Sequence, residues 1–217
     1  MIFGSISYLN LLPFQIFLKR YLRYSRAKMA FNYKRGVPSQ INKALRKRHI
    51  HAGFISSVES SAYQCSDLGI IANRAVYSVF VIQGNSSKSD KESATSNKLA
   101  KLLNLQGEVI IGDKALKYYL NGGEGIDLAS AWYAKYKLPF VFGRLCYNCH
   151  GETIKNISKK FMQHPIKIPQ YILKKESKKR GITVKQLLWY LKHIEYKMNH
   201  QSKRSLKKFL KEVRKNH

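Results

Sequence analysis

"AFNYKRGVPSQINKALRKRHIHAGFISS" spans residues 30–57, and its reading decides the fold. "AFNYKRG" (30–36) reads as a strand that closes at a glycine. "VPSQINKALRKR" then reads as a helix capped at Ser39, whose hydroxyl suits a free N–H of the first turn. "HAGFISS" (51–57) reads as a second strand, buried enough to run Ala-Gly-Phe-Ile. A strand, a helix and a strand at this spacing predict a crossover in a parallel sheet.

The chain before this unit repeats the pattern. Residues 2–7 alternate apolar and polar as a short strand does. "NLLPFQIFLKRYLR" (10–23) follows as a helix, with Asn10 as a candidate N-cap and Pro13 tolerated in the first turn. Phe14, Phe17, Leu18 and Tyr21 form its apolar face. After residue 57 come a short helix at "SVESSAYQ", then "GIIA", then a long strand at "AVYSVFVIQ" (75–83).

Composition shifts at "GNSSKSDKESATSN" (84–97), which is Ser/Lys-rich and poor in apolar residues, a boundary signal. Beyond it the helix "NKLAKLLNL", the strand "EVIIGD", two more helices and the strand "LPFVFGRL" make a second, smaller α/β lobe. From Gly151 onward the chain reads as helices, with one stripe at Val184, Leu187, Leu188, Leu191, Ile194 and Met198. Leu206, Phe209, Leu210 and Val213 make another. The expected division is residues 1–83 plus 145–217 for the larger lobe and 84–144 for the smaller.

The formal charge is +28, from 40 basic against 12 acidic residues. Residues 151–217 hold 19 basic and 4 acidic residues, and the first 150 hold 21 and 8, so no polybasic arm stands apart from a neutral body. Charge excess alone is an electrostatic footprint, and no RNP, KH or zinc-finger pattern accompanies it, so nucleic acid is not the expected partner. The basic amphipathic helices at the end read as solvated faces over a packing stripe. The apolar N-terminus lacks a basic n-region, and Ser5, Ser7 and Asn10 interrupt it as a span, so a cytoplasmic protein without membrane insertion is expected.

"CYNCH" (146–150) has the C-x-x-C-H form of haem attachment. That attachment follows export, for which no signal is seen, and no second cysteine pair supports a zinc site. Three cysteines, Cys65, Cys146 and Cys149, make no disulfide framework. Cys146 and Cys149 therefore read as small, semi-buried residues at a strand's end, with no metal and no cofactor expected.

In open α/β sheets ligands gather at the carboxyl ends of strands, where helix N-termini present N–H groups. That rule selects Ser7, Tyr8 and Asn10 after the first strand, Ser39 before its helix, and Ser56 and Ser57 after "GFI". It also selects Ser78 in "YSVF", Thr95 and Ser96 ahead of "NKLAKLL", and Asp113 after "VIIG". Hydroxyls and amides converging between two lobes suit a small polycarboxylate. Nucleotide-binding glycine motifs, a nucleophile elbow and an H-E-x-x-H pair are all missing. Acids are scarce, so a carboxylate pair could draw only on Glu59, Asp113 and Asp127.

"YLNLLP" (8–13), "GVPSQINKAL" (36–45), "AGFISSVES" (52–60), "YSVFV" (77–81), "ATSNKLAKLL" (94–103), "IIGDKAL" (110–116) and "DLASAWYAKYKLPFVFGR" (127–144) occur in that order. As an ordered set they resemble the chorismate dehydratase family of menaquinone biosynthesis, of the futalosine route. The resemblance implies an α/β, two-lobed fold like that of type II periplasmic binding proteins, with a ligand cleft between the lobes and a helical C-terminal segment. It implies a cytoplasmic enzyme that converts chorismate to 3-[(1-carboxyvinyl)oxy]benzoate and water without a cofactor. A sister family of the same route, dihydroxynaphthoate synthase, opens with a Cys-Pro-Asn-Asp-type motif where Y-L-N-L-L-P stands here. The second lobe is shorter than is usual for the family, and the family carries no fixed C-x-x-C-H. By the Y-L-N resemblance Asn10 holds the substrate near the reacting ring. Ser56, Ser78, Thr95 and Ser96 would clamp carboxylates, with Tyr8, Ser57 and Asp113 at the same cleft. Given the missing carboxylate pair, the base would be the substrate's own side-chain carboxylate. A non-catalytic small-carboxylate-binding protein on the same fold and the dihydroxynaphthoate synthase of the same route are the alternative readings.

Overall fold

β1 (Ile2–Ile6) pairs in parallel with β2 (Asn32–Gly36) on one side and with β3 (Ala52–Ser56) on the other, so the crossover read from residues 30–57 is present. The computed structural model describes residues 1–23, 31–163 and 165–215; Ala30, the first residue of the predicted strand 30–36, lies outside them. β3 is buried along its whole length, as an apolar run covered on both faces must be. The crossover helix α2 (Pro38–Arg46) packs closely on this sheet: a Cβ at Gly4 would stand 2.7 Å from Ile50 and 2.8 Å from Ile41.

Two expected caps are placed differently. α2 starts at Pro38, and the Gln40 side chain accepts the Val37 N–H at 3.1 Å. Ser39 lies inside the first turn and gives its own N–H to the Glu92 carbonyl at 3.0 Å. Asn10 sits within a 3-10 turn, Leu9–Leu11, that runs directly into α1 (Leu12–Arg23), so it is not an N-cap.

The rest of the first sheet is antiparallel, which the strand-helix-strand reading did not foresee. Its order is β2-β1-β3-β8-β4-β9. β8 (Phe140–Tyr147) pairs antiparallel with both β3 and β4 (Gln64–Ala72), because the chain returns to this sheet from the opposite end. β9 (Glu195–Lys197) adds an antiparallel edge to β4 inside a tail expected to be all helix. Three residues reading Glu-Tyr-Lys carry no strand periodicity; partnership with an open edge makes them a strand.

A second sheet, β6-β5-β7, is wholly antiparallel and is built from β5 (Val79–Gln83), β6 (Gly107–Ile111) and β7 (Ile126–Asp127). β5 pairs with β6 and β7 of this sheet, although a boundary at residue 83 would group it with the first. The chain crosses between sheets ahead of β5, where the Asp127 carboxylate accepts the N–H groups of Val76 (2.9 Å) and Tyr77 (2.7 Å). α3 (Ala94–Leu102), α4 (Gly112–Leu120) and α5 (Leu128–Tyr136) belong to this part of the chain.

The tail is α6 (Gly151–Gln163), α7 (Gln170–Arg180), α8 (Val184–Leu191) and α9 (His200–Lys215). α6 lies against β4, and α9 against β8 and α3. Leu188, expected on the buried stripe, is 42% exposed because α8 turns Leu187 and Tyr190 inward instead. Among the described residues no helix is long and apolar enough to cross a membrane.

The expectation of unpaired cysteines is corrected. Cys65 and Cys146 stand directly opposite each other on β4 and β8 and are joined as a disulfide, leaving Cys149 free and exposed. Their 81-residue separation in sequence hid the pairing.

Phe209 on α9 is 1% exposed and meets Trp132 and Phe140 edge-on, at ring separations of 5.9 and 5.0 Å. Trp132 also donates its indole N–H to Ser205 at 2.9 Å. Phe209→Ala should therefore lose about 3–5 kcal/mol by urea denaturation. A loss below about 1 kcal/mol would mean that α9 is not part of the core.

Candidate active site between the two sheets

A cavity of about 60 Å³ lies where the two sheets face each other. From the first sheet it takes the end of β1 and the turn after it (Ile6, Tyr8, Asn10, Leu11), the start of α2 at Pro38, and Phe54 and Ser56 on β3. From the second it takes Ser78, Val79, Ser93, Ser96, Ile111 and Gly112. No charged side chain is among the described lining residues. Three helix N-termini reach it instead: α2 through Pro38, α3 through Ser93 and Ser96, and α4 through Gly112. The partial positive ends of all three favour an anion, although Pro38 has no N–H, the Ser39 N–H goes to the Glu92 carbonyl and the Gly112 N–H to the Ser78 carbonyl.

The serine hydroxyls are oriented by their neighbours. Ser56 Oγ accepts from the Asn42 amide at 2.9 Å, and the Asn42 oxygen in turn accepts the Ser56 N–H at 3.0 Å. Ser78 Oγ accepts from the buried Tyr190 phenol at 2.9 Å; burial pushes that phenol up, so it keeps the proton it donates. Ser96 Oγ accepts from the Ser93 hydroxyl at 2.8 Å, while Ser93 Oγ accepts the Ser96 N–H at 3.1 Å. In all three cases a lone pair is occupied and the serine's own hydrogen is left to give. The cavity thus holds three hydroxyl donors, from three different elements.

Asn10 supplies the opposite polarity. Its side-chain oxygen is buried and has no hydrogen-bond partner among the described residues. Leaving such a group unsatisfied costs about 1–3 kcal/mol, which makes it an expected point of ligand contact.

Of the residues expected at the cleft, Tyr8, Asn10, Ser56, Ser78 and Ser96 come together on the cavity. Ser57 and Thr95 lie elsewhere: their hydroxyls are 3.4 Å apart, and Thr95 Oγ1 accepts the Val58 N–H at 3.2 Å, joining α3 to the turn after β3. Asp113 is also off the cavity wall. It accepts the Leu9 N–H at 2.9 Å and the Arg180 Nε–H at 2.5 Å. Burial pushes its carboxyl up, and these two donors pull it back. Arg180 further donates to the Ser7 carbonyl at 2.7 Å and pairs with Glu176.

Sequence reasoning missed Asn42, Glu92, Ser93, Tyr190 and Arg180. Ser93 had a signal, since it immediately precedes a helix. The others act on partners 14 to 112 residues away, except that Arg180 reaches still further, to Ser7.

The C-x-x-C-H stretch ends β8 and turns into α6, away from this cavity. His51, Cys149 and His150 hold ligand-type atoms within 4.8 Å of one another. The Ile2 N–H, however, donates to His51 Nδ1 at 2.9 Å, which puts the proton of the neutral ring on Nε2 and leaves neither nitrogen free. Two ligands remain, too few for a closed site.

Two sheets, each with its helices, and a ligand cleft between them define the class: this is the periplasmic-binding-protein fold. Protein AF1704 of Archaeoglobus fulgidus superposes with a TM-score of 0.71 at 12% identity, over 99% of this chain and 97% of its own. The periplasmic aliphatic sulphonate binding protein SsuA of Escherichia coli does so with 0.60 at 13% identity, over 100% and 92%. The family follows from sequence. A family model described as menaquinone biosynthesis matches residues 1–108 and 104–215, and the chain belongs to that family. A relative from Campylobacter jejuni, named chorismate dehydratase, is 47% identical over 215 residues, 97% of this chain and 96% of that protein.

Arg180 is the strut whose loss the site should feel. Its side chain is 9% exposed, and Arg180→Ala leaves the half-buried Asp113 carboxylate with the Leu9 N–H alone of its two donors. A stability loss of about 1–2 kcal/mol is expected in chemical denaturation, between the values for an exposed and a buried pair. Adding Asp113→Asn to that variant should restore part of it, because the stranded charge goes too.

Proposed function

We propose that the protein is a chorismate dehydratase, a hydro-lyase that converts chorismate to 3-[(1-carboxyvinyl)oxy]benzoate and water. We place it in the futalosine route to menaquinone, in the cytoplasm. The observation that carries the reading is the cavity's polarity: three hydroxyl donors and three helix N-termini around a wall without a charged side chain. Such a wall suits a dianion bound by dipoles. The 47% identical relative supports the same substrate.

The reaction is an elimination that balances within the substrate. A ring C–H bond breaks and its electron pair becomes a ring double bond, while the neighbouring C–O bond breaks and the hydroxyl leaves as water. The ring becomes aromatic, so the drive lies in the substrate, and no electron acceptor is needed. Ser56, Ser78 and Ser96 hold carboxylate oxygens, and Asn10 places its oxygen at the reacting ring. With no carboxylate side chain on the wall, the ring proton passes to the substrate's own side-chain carboxylate, which hands it on to the departing hydroxyl, so that water leaves and the carboxylate is regenerated.

A cavity of about 60 Å³ is well below the roughly 300 Å³ at which ligand sites begin, so the lobes part to admit substrate. The lobe that moves runs from β5 through α5, residues 79–136, because Phe140–Arg144 of β8 belong to the first sheet. The +28 charge speeds capture of a dianion through its long-range field.

Incubation of the purified protein with chorismate, followed by mass spectrometry, should yield a species one water lighter that is distinct from spontaneously formed prephenate. Binding without turnover would favour a carboxylate-binding protein. Asn10→Ala should lower kcat by about 10²-fold or more; an unaltered kcat/KM would remove Asn10 from the mechanism.

A further inference from the structure

The Tyr8 phenol on the cavity wall donates its proton to the Glu92 carboxylate, a residue 84 positions away that belongs to the loop before α3. Glu92 is itself held in place. Its N–H donates to Asp90 Oδ1 at 2.8 Å, and its carbonyl accepts the Ser39 N–H at 3.0 Å. Asp90 is fixed in turn by Lys114 at 2.5 Å. The hydroxyl end of the Tyr8 ring lies over Gly112, another wall residue, where a Cβ would stand 2.8 Å from the ring.

An ionised carboxylate can only accept, so the Tyr8 hydrogen is committed to Glu92. Burial, reinforced by Glu92 beside it, pushes the phenol up and keeps that hydrogen in place. What Tyr8 has left to offer is its lone pairs. This is the reverse of Ser56, Ser78 and Ser96, which accept from the protein and have hydrogens to give.

We propose that the Tyr8–Glu92 pair turns the Tyr8 oxygen into a hydrogen-bond acceptor that reads a hydroxyl on the substrate, which makes Tyr8 a specificity determinant and Glu92 its positioning residue. The inference rests on the dehydratase reading and deepens it. A dianion with one ring hydroxyl is sorted by polarity: carboxylates toward the serines and helix N-termini, the hydroxyl toward Tyr8. The dehydration product keeps both carboxylates and has lost that hydroxyl. Bound in the same pose it leaves the Tyr8 oxygen unpaired, so the site discriminates against its own product.

The experiment compares wild type, Tyr8→Phe and Glu92→Gln, each checked for an unchanged melting transition. The readout is the ratio of the product's competitive inhibition constant to the KM for chorismate. In wild type the product should bind at least about tenfold more weakly than chorismate. In Tyr8→Phe the unpaired acceptor is gone, and in Glu92→Gln the amide can donate into the Tyr8 oxygen, so both should reduce the ratio about tenfold. A Tyr8→Phe enzyme that loses kcat/KM but keeps the wild-type ratio would overturn the proposal, since a purely structural Tyr8 behaves that way. A collapsed ratio in Tyr8→Phe with an unchanged one in Glu92→Gln would remove Glu92 from it. Should the wild type leave chorismate unconverted, the dehydratase reading fails by itself. The same ratio is then taken from calorimetric dissociation constants for chorismate and product, and an unchanged ratio across the three proteins overturns the role of the pair.

Discussion

Asp113 joins the two halves of the site. One of its oxygens takes the Leu9 N–H, from the turn after β1, and the other takes the Arg180 guanidinium, which also holds the Ser7 carbonyl. The start of α4 is thereby pinned against the turn that carries Asn10. Because Gly112 is the neighbour of Asp113 and Asn10 the neighbour of Leu9, this one carboxylate sets which backbone faces which across the cavity. Its own charge is therefore spent on architecture and is not available to a ligand. The same holds for Asp127, whose two oxygens collect four N–H groups at the crossing and at the start of α5. An acid-poor protein has used its well-placed carboxylates as struts, and the cavity wall is left to hydroxyls, amides and helix ends.

That division explains how a chain of charge +28 has a cavity with no charged side chain among its described lining residues. A lysine ammonium on the wall would bind any anion in any orientation. Oriented hydroxyls bind only along the directions their partners leave open, and those partners are named: Asn42 for Ser56, Tyr190 for Ser78, Ser93 for Ser96. Long-range attraction and short-range orientation are thus separated, the first spread over the surface and the second built into fixed hydrogen bonds.

The parallel unit was legible because helix and strand periods alternate cleanly through residues 2–57 of the chain. The rule that ligands gather at strand ends placed Asn10, Ser56, Ser78 and Ser96 on the cavity wall, since each lies where the chain leaves one element for the next. It could not separate Ser96 from Thr95. Adjacent helix positions differ by about 100° in direction, and which of them faces the cavity depends on how α3 sits against the turn at Ser57. β9 and the Cys65–Cys146 pair were hidden for a related reason: each depends on a partner more than 80 residues distant, and neither has a local pattern of its own. The Ser-rich stretch 84–97 looked like a boundary by composition, yet the chain crosses earlier, where Asp127 gathers the N–H groups of Val76 and Tyr77. Composition reports exposure, whereas the crossing is set by a buried hydrogen-bonding carboxylate.

The closed cavity is too small for a ligand of chorismate's size, and the contacts across it differ in how hard they are to break. On one side Arg180 pairs with Asp113 and Glu176 and donates to the Ser7 carbonyl, while Asp113 also takes the Leu9 N–H, so four contacts hold together. On the other side Glu92, also half-buried, supplies the Tyr8 contact and the Ser39 contact. The Ser39 bond contributes about 1 kcal/mol net and the Tyr8 bond to a carboxylate about 1.5–3 kcal/mol, and water replaces both on opening. Parting the lobes at the Glu92 side while the Arg180 side holds is therefore the low-cost motion, and it turns the cavity toward solvent without dismantling the join at Asp113. Closure over a substrate then remakes the Tyr8–Glu92 bond only if nothing in the cavity competes for the Tyr8 proton. A carboxylate placed there would compete and a hydroxyl would not, so closure itself favours the ligand orientation in which the leaving hydroxyl meets Tyr8.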